Sequence, residues 1–535
     1  MAAPVVTGPA TPVQDTAGVG LAAASARARS VRSTVDTGRV STGLGARAAG
    51  IVFGATADAG IDAELPWVST VDQAHLLMLT ARGLIESTAA AALLDEIDWL
   101  RRNDFDALRG RPAVRGAYLL YEEHLIGALG PEVGGVLHTG RSRNDLKATV
   151  HQLRAREATE VLLGDLLRLQ AVLLASARRY RHVVMPAYSQ YQPAVPVSYG
   201  WYLLGIAEAL DQDVTGVWQA AQSLRRCPLG AAAGAGTDIR VDPAHTARLL
   251  GFDESLTHAG YAVASRDGLV RLVSAGVLAG ITLSRLAADL QLWSTPEFGL
   301  VEFPDSLVGT SSAMPQKRNP FLLEHVKGGA GALIGAWTAM VSTMRAVPFG
   351  NSVEVTTEAV APVWPALCQL TDMLGLMLSV VTGVRPRPAT MLADAESNGT
   401  VATALANRLV VAGVPFRTAH HAVGRLITDL AGTGSAPGAA LVTASAARHL
   451  GRILAAEGHA VDLGSTVADL DPVTVCAATD FGGGPGPGSF DRAHERLVAR
   501  WQGRVRAGLD WSGGVRVAAA RRQAEACALI TRAGR

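Results

Sequence analysis

The run Gly309-Thr310-Ser311-Ser312-Ala313-Met314-Pro315-Gln316-Lys317-Arg318-Asn319-Pro320 gathers hydroxyls, a basic pair and two amides between a glycine and two prolines. That composition suits a mobile loop that closes over an anion, and taken alone it equally fits a surface loop with a basic tip. A second polar run, His138-Thr139-Gly140-Arg141-Ser142-Arg143-Asn144-Asp145, follows the pair Gly134-Gly135. It falls at a predicted loop-to-helix junction, where unpaired backbone N–H groups are free for a carboxylate.

The elements that must position these runs are helical. Val71, Ala74, Leu77, Met78, Ala81, Leu84 and Ile85 recur at helical spacing and predict a helix from Val71 to Glu86, with Asp72 in its first turn. Helices are also expected over Thr88–Arg102, ended by Asn103-Asp104, and over Tyr118–Leu129, closed by Gly130-Pro131. Long apolar-periodic segments follow at 146–180, 197–224, 267–293, 322–344 and 362–381. Their Ala and Gly contact positions predict a closely packed bundle, and their surplus of apolar face predicts burial between subunits. Arg385-Pro386-Arg387-Pro388 breaks the pattern. The expected organisation is an all-α chain with a flexible tail at 1–40, an N-terminal helical domain at 41–145 and the long-helix bundle at 146–384. A C-terminal helical domain at 385–510, with a helix over Val411–Gly424 and a closing helix from Phe490 to Val505, precedes a loosely held tail at 511–535. The loop Gly482–Gly488 has neither a preceding strand nor a Lys-Ser/Thr and reads as a linker.

Charge and composition exclude several classes. The chain has 535 residues with 48 basic and 47 acidic side chains, a balance that favours neither nucleic acid nor an anionic membrane. Hydrophobic residues at 49% and charged residues at 18% place it among folded proteins with large cores. Cys227, Cys368, Cys476 and Cys527 are far apart and without metal-ligand spacing, as in a reduced cytoplasmic protein. The uncharged run Gly328–Met344 is marginal for a membrane span and reads as a buried helix.

The 309–320 run resembles the G-S-S-x-M-P-x-K-x-N-P signature of the fumarase/aspartase superfamily, and 138–145 resembles the motif of its argininosuccinate lyase branch. Cys227-Pro228-Leu229-Gly230, Ser265-Arg266-Asp267 and Pro415-Phe416-Arg417-Thr418-Ala419-His420 are similar to further family segments in the same order. The resemblance, from about Asp72 to Leu509, implies a homotetramer whose long central helices pack together and whose active sites are shared between chains. It implies a cofactor-free and metal-free lyase. A proton is removed beside a carboxylate of a small dicarboxylate-type substrate, nitrogen leaves from the neighbouring carbon, and fumarate forms. Ser311 matches the base, with Ser312 beside it as the alternative hydroxyl. Lys317 and Asn319 match the groups that spread the carbanion charge, and Met314 lies in the same substrate loop. Ser142, Arg143 and Asn144 match residues that grip the fumarate half, whereas Arg141 fits a ligand or an ion-pair role equally. Glu324 matches the acidic residue that orients a histidine.

That histidine is replaced. The family's P-G-Y-T-H-L-Q segment corresponds to Pro186-Ala187-Tyr188-Ser189-Gln190-Tyr191-Gln192, so Ser189 keeps a hydroxyl and Gln190 takes the histidine position. An amide supplies no proton at neutral pH. Three explanations stand: another donor among His258, His325, Tyr188 and Tyr261; a better leaving group; or an inactive scaffold with the same fold. Asp72 stands where the family has serine, and Phe349–Glu358 lacks the family's Tyr, Gln and Lys. The expected substrate is therefore a succinate or aspartate derivative other than argininosuccinate, with a true argininosuccinate lyase as the alternative.

Overall fold

The computed structural model describes residues 43–54, 56–112, 115–431 and 437–533, so the expected tail at 1–40 lies outside the described residues. The N-terminal domain packs the helices Asp58–Ala81, Ser87–Arg102 and Ala117–Leu129 around Ile61, Leu65, Leu94, Ile97 and Tyr121. The Asp58–Ala81 helix corrects the expected Val71–Glu86 at both ends, since it also stops at Ala81, before Gly83 takes a φ of 64°. It runs through Pro66 because Ile61, Leu65 and Val68 keep one continuous buried face on both sides of the proline, which outweighs the lost N–H. Asp72 therefore sits mid-helix and buried rather than in a first turn.

Five helices build the bundle: Arg143–Arg179, Tyr199–Gln222, Asp267–Trp293, Phe321–Met344 and Val363–Gly383. Their shared core runs from Leu162, Leu166 and Leu173 through Leu210, Leu283 and Leu290 to Leu333, Leu370 and Met377. Close approach depends on glycine at two points. A Cβ on Gly280 would lie 2.8 Å from Leu333 Cδ1, and one on Gly329 would lie 2.6 Å from Met373 Sδ. Leu278, Ile281, Phe321 and Ile334 remain exposed on these helices in the single chain. Asp267–Trp293 and the helical stretch Glu354–Gly383 are long and apolar enough to cross a membrane by composition, and both pack within this bundle.

Short two-stranded ladders decorate the bundle. Val184–Ser189 pairs antiparallel with Gln192–Ser198, and Gly309–Thr310 with Arg318–Asn319. The C-terminal domain is a helical cluster around Leu405, Leu409, Leu426, Leu450 and Leu454. The expected helix over Val411–Gly424 is two helices, Ala402–Val411 and Phe416–Ala431, divided where Gly413 takes a φ of 95° ahead of Pro415.

The chain after Trp511, expected as a loose tail, is instead helical: one helix runs from Pro487 to Ala533. It leaves the C-terminal domain and lies along the bundle, where Trp501 Nε1 donates to the Leu167 carbonyl at 2.9 Å and Arg504 Nε donates to Asp211 at 2.9 Å. It then enters the N-terminal core with Ala526, Leu529 and Ile530. Packing of this Ala- and Arg-rich stretch on two domains overrides the helix-weakening pair Gly513-Gly514.

Candidate active site

The first polar cluster is built by a helix start. Ser142 is the N-cap of the Arg143–Arg179 helix, and its hydroxyl accepts the Asn144 N–H at 3.3 Å. Asp145 completes a capping box by accepting the Ser142 N–H at 2.9 Å. Its other oxygen accepts the N–H groups of Gly230 at 3.1 Å and Ala232 at 2.9 Å. One buried carboxylate thus fixes the Pro228–Ala233 turn against the helix start, with burial pushing its pKa up and these N–H groups opposing the shift. Asn144 Nδ2 reaches the Ala233 carbonyl at 3.5 Å, and Arg143 faces solvent.

The two arginines of this run divide their roles. Arg141 Nη1 lies 2.6 Å from Asp72 Oδ1, and both side chains are 0% exposed. Burial works against the guanidinium charge, but the adjacent carboxylate more than offsets it and raises the Arg141 pKa. The same burial raises Asp72, and Arg141 opposes that rise. The pair is consequently held as an ion pair, with Tyr118 Oη a further 3.4 Å contact to Arg141 Nη2. Of the two arginines, Arg143 is the one that stays exposed.

The second cluster lies on a strand-pinned loop. The ladder between 309–310 and 318–319 closes its base, and Arg318 tightens it by pairing with Asp305 and donating to the Phe303 carbonyl at 2.8 Å. Ser311 Oγ accepts N–H groups from Ala313 at 3.3 Å and Met314 at 3.0 Å, which leaves its own proton free to be donated. Ser312, Met314 and Lys317 are exposed at the tip, while Asn319 is half-buried in the ladder. Glu324, in the first turn of the Phe321–Met344 helix, accepts from Gln291 Nε2 at 3.1 Å. Among the described residues its recorded hydrogen bond is to that glutamine rather than to a histidine.

The third cluster is a hairpin tip. Ser189 pairs with Gln192, which leaves Gln190 and Tyr191 as a two-residue turn with φ of 51° and 63°. Both project into solvent, Tyr191 at 84% exposure. Beneath the tip, Tyr188 Oη donates to Asp394 at 2.6 Å, and burial together with that carboxylate raises the phenol pKa. Tyr188 is thereby committed to anchoring the hairpin. Of the other proton donors considered, His325 packs edge-on against Phe321, and His258 Nδ1 accepts the Tyr261 N–H at 3.2 Å.

Within one chain the structure unites Ser142, Arg143 and Asn144 at one helix start. No hydrogen bond or ion pair recorded among the described residues joins them to Ser189 and Gln190 or to Ser311, Lys317, Asn319 and Glu324. Two features were missed by sequence reasoning. One is the cradle around Asp145, which the Ser142-x-x-Asp145 spacing signals. The other is Lys147, whose Nζ donates to Thr357 Oγ1 at 3.0 Å and ties the same helix start to the altered 349–358 segment. Among the described residues no group of three His, Cys, Asp or Glu side chains could hold a metal ion.

A family model described as lyase matches residues 113–335, and one described as argininosuccinate lyase C-terminal matches residues 399–443. The argininosuccinate lyase of Thermus thermophilus is 37% identical over 368 residues, covering 68% of this chain and 79% of the relative. That of Halobacterium salinarum is 36% identical over 429 residues, covering 79% and 84%. The crystal structure of EDDS lyase in complex with formate superposes with a TM-score of 0.81 at 26% identity, over 89% of this chain and 95% of that one. A class II fumarase from Schistosoma mansoni, at 15% identity and a TM-score of 0.65 over 80% of this chain and 94% of its own, shares the fold.

Proposed function

Because the chain belongs to the argininosuccinate lyase family of the fumarase/aspartase superfamily, we propose that it is a carbon–nitrogen lyase releasing fumarate from a succinate or aspartate derivative other than argininosuccinate. In this reading Ser311 acts as its alkoxide, held by the Ala313 and Met314 N–H groups, and takes the proton beside the carboxylate to become a neutral hydroxyl. Lys317 and Asn319 hold the resulting carbanion, which is the species the site must favour over the bound substrate. Arg143 forms the two-pronged contact to a carboxylate, with Ser142 and Asn144 beside it. Ser189, Gln190, Ser312 and Met314 line the substrate, and Glu324 orients its neighbours. These groups come from different chains of a homotetramer. The three clusters carry exposed polar groups, no recorded hydrogen bond joins them within one chain, and the apolar residues Leu278, Ile281 and Ile334 lie uncovered on bundle helices, which supports this reading.

The observation that carries the substrate reading is the Asp72–Arg141 pair. Where the family places a small hydroxyl residue, this chain has a carboxylate already spent on a buried guanidinium. That side chain cannot turn to a leaving group without abandoning a sealed charge. Gln190 adds to this, since a nitrogen that leaves readily needs no general acid. The identities to argininosuccinate lyases favour a second reading, in which argininosuccinate is the substrate.

One assay separates them: the absorbance of fumarate released by the purified protein from argininosuccinate, EDDS and a panel of N-substituted aspartates. Release from one of the other compounds, abolished by Ser311→Ala, supports the proposal. Turnover of argininosuccinate alone, at the rate of an ordinary lyase, refutes it. Silence across the panel, with Ser311→Ala indistinguishable from the parent in every property, favours an inactive scaffold.

A further inference from the structure

Lys147 stands one turn beyond Arg143 on the Arg143–Arg179 helix, a spacing that puts both Cβ atoms on one face, about 5–6 Å apart. Arg143 is exposed and Lys147 half-buried. The lysine forms no ion pair among the described residues. Its recorded bond there is the one that Nζ donates to Thr357 Oγ1 at 3.0 Å, a neutral partner that leaves two ammonium hydrogens for a ligand. Thr357 is exposed and sits in the π-helical turn Glu354–Glu358, where the Ala359 N–H donates to the Glu354 carbonyl at 2.8 Å. Turns of that kind recur at functional sites.

The carboxylates nearest in sequence to this pair do not neutralise the lysine. Asp145 is engaged by the N–H groups of Ser142, Gly230 and Ala232. The Glu354 carboxyl is held below its ordinary pKa by its own backbone N–H and the Ser352 hydroxyl. Glu358, exposed beside Thr357, forms no ion pair among the described residues. His151, a further turn along the helix, is kept neutral by burial, reinforced by Arg266, Lys147 and Arg154. Lys147 thus extends by one ammonium the cationic row that Arg143 begins.

We propose that Lys147 selects the leaving half of the substrate, attracting a carboxylate carried close to the leaving nitrogen and repelling a cation there, so that the substrates are N-(carboxyalkyl)aspartates. The inference rests on the elimination reading, which puts one substrate carboxylate on Arg143. A second anion held within one helical turn of it falls on atoms near the leaving nitrogen rather than at the far end of a long substituent. In argininosuccinate the leaving nitrogen belongs to a cationic guanidinium, which an ammonium in that place disfavours.

The test compares two compounds of the same shape, N-(carboxymethyl)aspartate and N-(carbamoylmethyl)aspartate, which differ by one charge. Fumarate release by the full chain gives kcat/KM for each. The parent is expected to favour the carboxylate compound by on the order of 10- to 100-fold, and Lys147→Met to erase most of that ratio. A structural role for the lysine would lower both rates alike and leave the ratio intact. Should Lys147→Met fail to fold, Lys147→Gln decides. Turnover of neither compound defeats the elimination reading, and the same ratio is then taken from calorimetric affinities, so the two failures are told apart. Equal handling of the compounds by the parent, binding of neither, or an unchanged ratio in the variants overturns the assignment of Lys147.

Discussion

Removing the Asp72 carboxylate should be among the most destabilising single changes in the N-terminal half. In Asp72→Ala the Arg141 guanidinium stays in a site with no solvent access and loses the oxygen 2.6 Å from its Nη1. What remains is Tyr118 Oη at 3.4 Å, too long to compensate a buried charge, and Arg141 Nε is unpartnered as well. Breaking a buried pair from one side costs about 3–5 kcal/mol, roughly a 100- to 5,000-fold shift in the local folding equilibrium. Because the chain has several domains, a single global unfolding energy is a poor measure. Native-state hydrogen exchange is the appropriate assay, read at amides around Tyr118–Tyr121 and Leu146–Val150, which flank the pair. The double variant Asp72→Ala/Arg141→Met should recover most of the lost protection, since it removes the stranded charge along with its partner. If Asp72→Ala changes protection by less than about 1 kcal/mol, or the double variant is worse than the single one, Asp72 and Arg141 do not form a sealed ion pair.

Three further outcomes are expected. Asp213, on a bundle helix, is raised to about 6 by burial, and its bond to Thr282 opposes the rise. The fold thus favours the protonated acid, and stability falls as the pH rises from about 4 through 6; Asp213→Asn should raise the thermal midpoint at pH 7 and make no difference near pH 4. Asp145→Ala strips acceptors from the N–H groups of Ser142, Gly230 and Ala232, and should cost about 2 kcal/mol or more in chemical melts and reduce fumarate release as Asn144 loses its support. Gln190→His places an imidazole at the hairpin tip and should speed release of a poor nitrogen leaving group by roughly 100- to 10,000-fold; an unchanged rate would remove position 190 from the chemistry.

The long bundle helices were legible because length and apolar period agree over many turns, and their observed ends fall within a few residues of the expected ones. Errors arose where tertiary packing overrides a local signal. Pro66 and Gly513-Gly514 look like helix stops, yet buried faces on either side carry both helices through. The Val184–Ser198 hairpin was hidden by Pro186, Pro193 and Pro196, which an isolated two-stranded ribbon tolerates because its outer N–H groups have no ladder partner to lose. At the candidate site, the motif residues and their placement at a helix start were legible. Choosing between Arg141 and Arg143 was not, because the deciding partner, Asp72, is remote in sequence and reaches Arg141 only through the packing of two helices.

The helix from Pro487 to Ala533 also sets an order of assembly. Ala526, Leu529 and Ile530 complete a core whose other members lie almost entirely between Ala57 and Phe252. As the ribosome extends the chain, this core therefore waits, with part of its apolar surface uncovered, until residue 530 has emerged. Any delay in making the chain between Phe252 and Ala526 therefore prolongs the exposure of that apolar surface and its risk of aggregation.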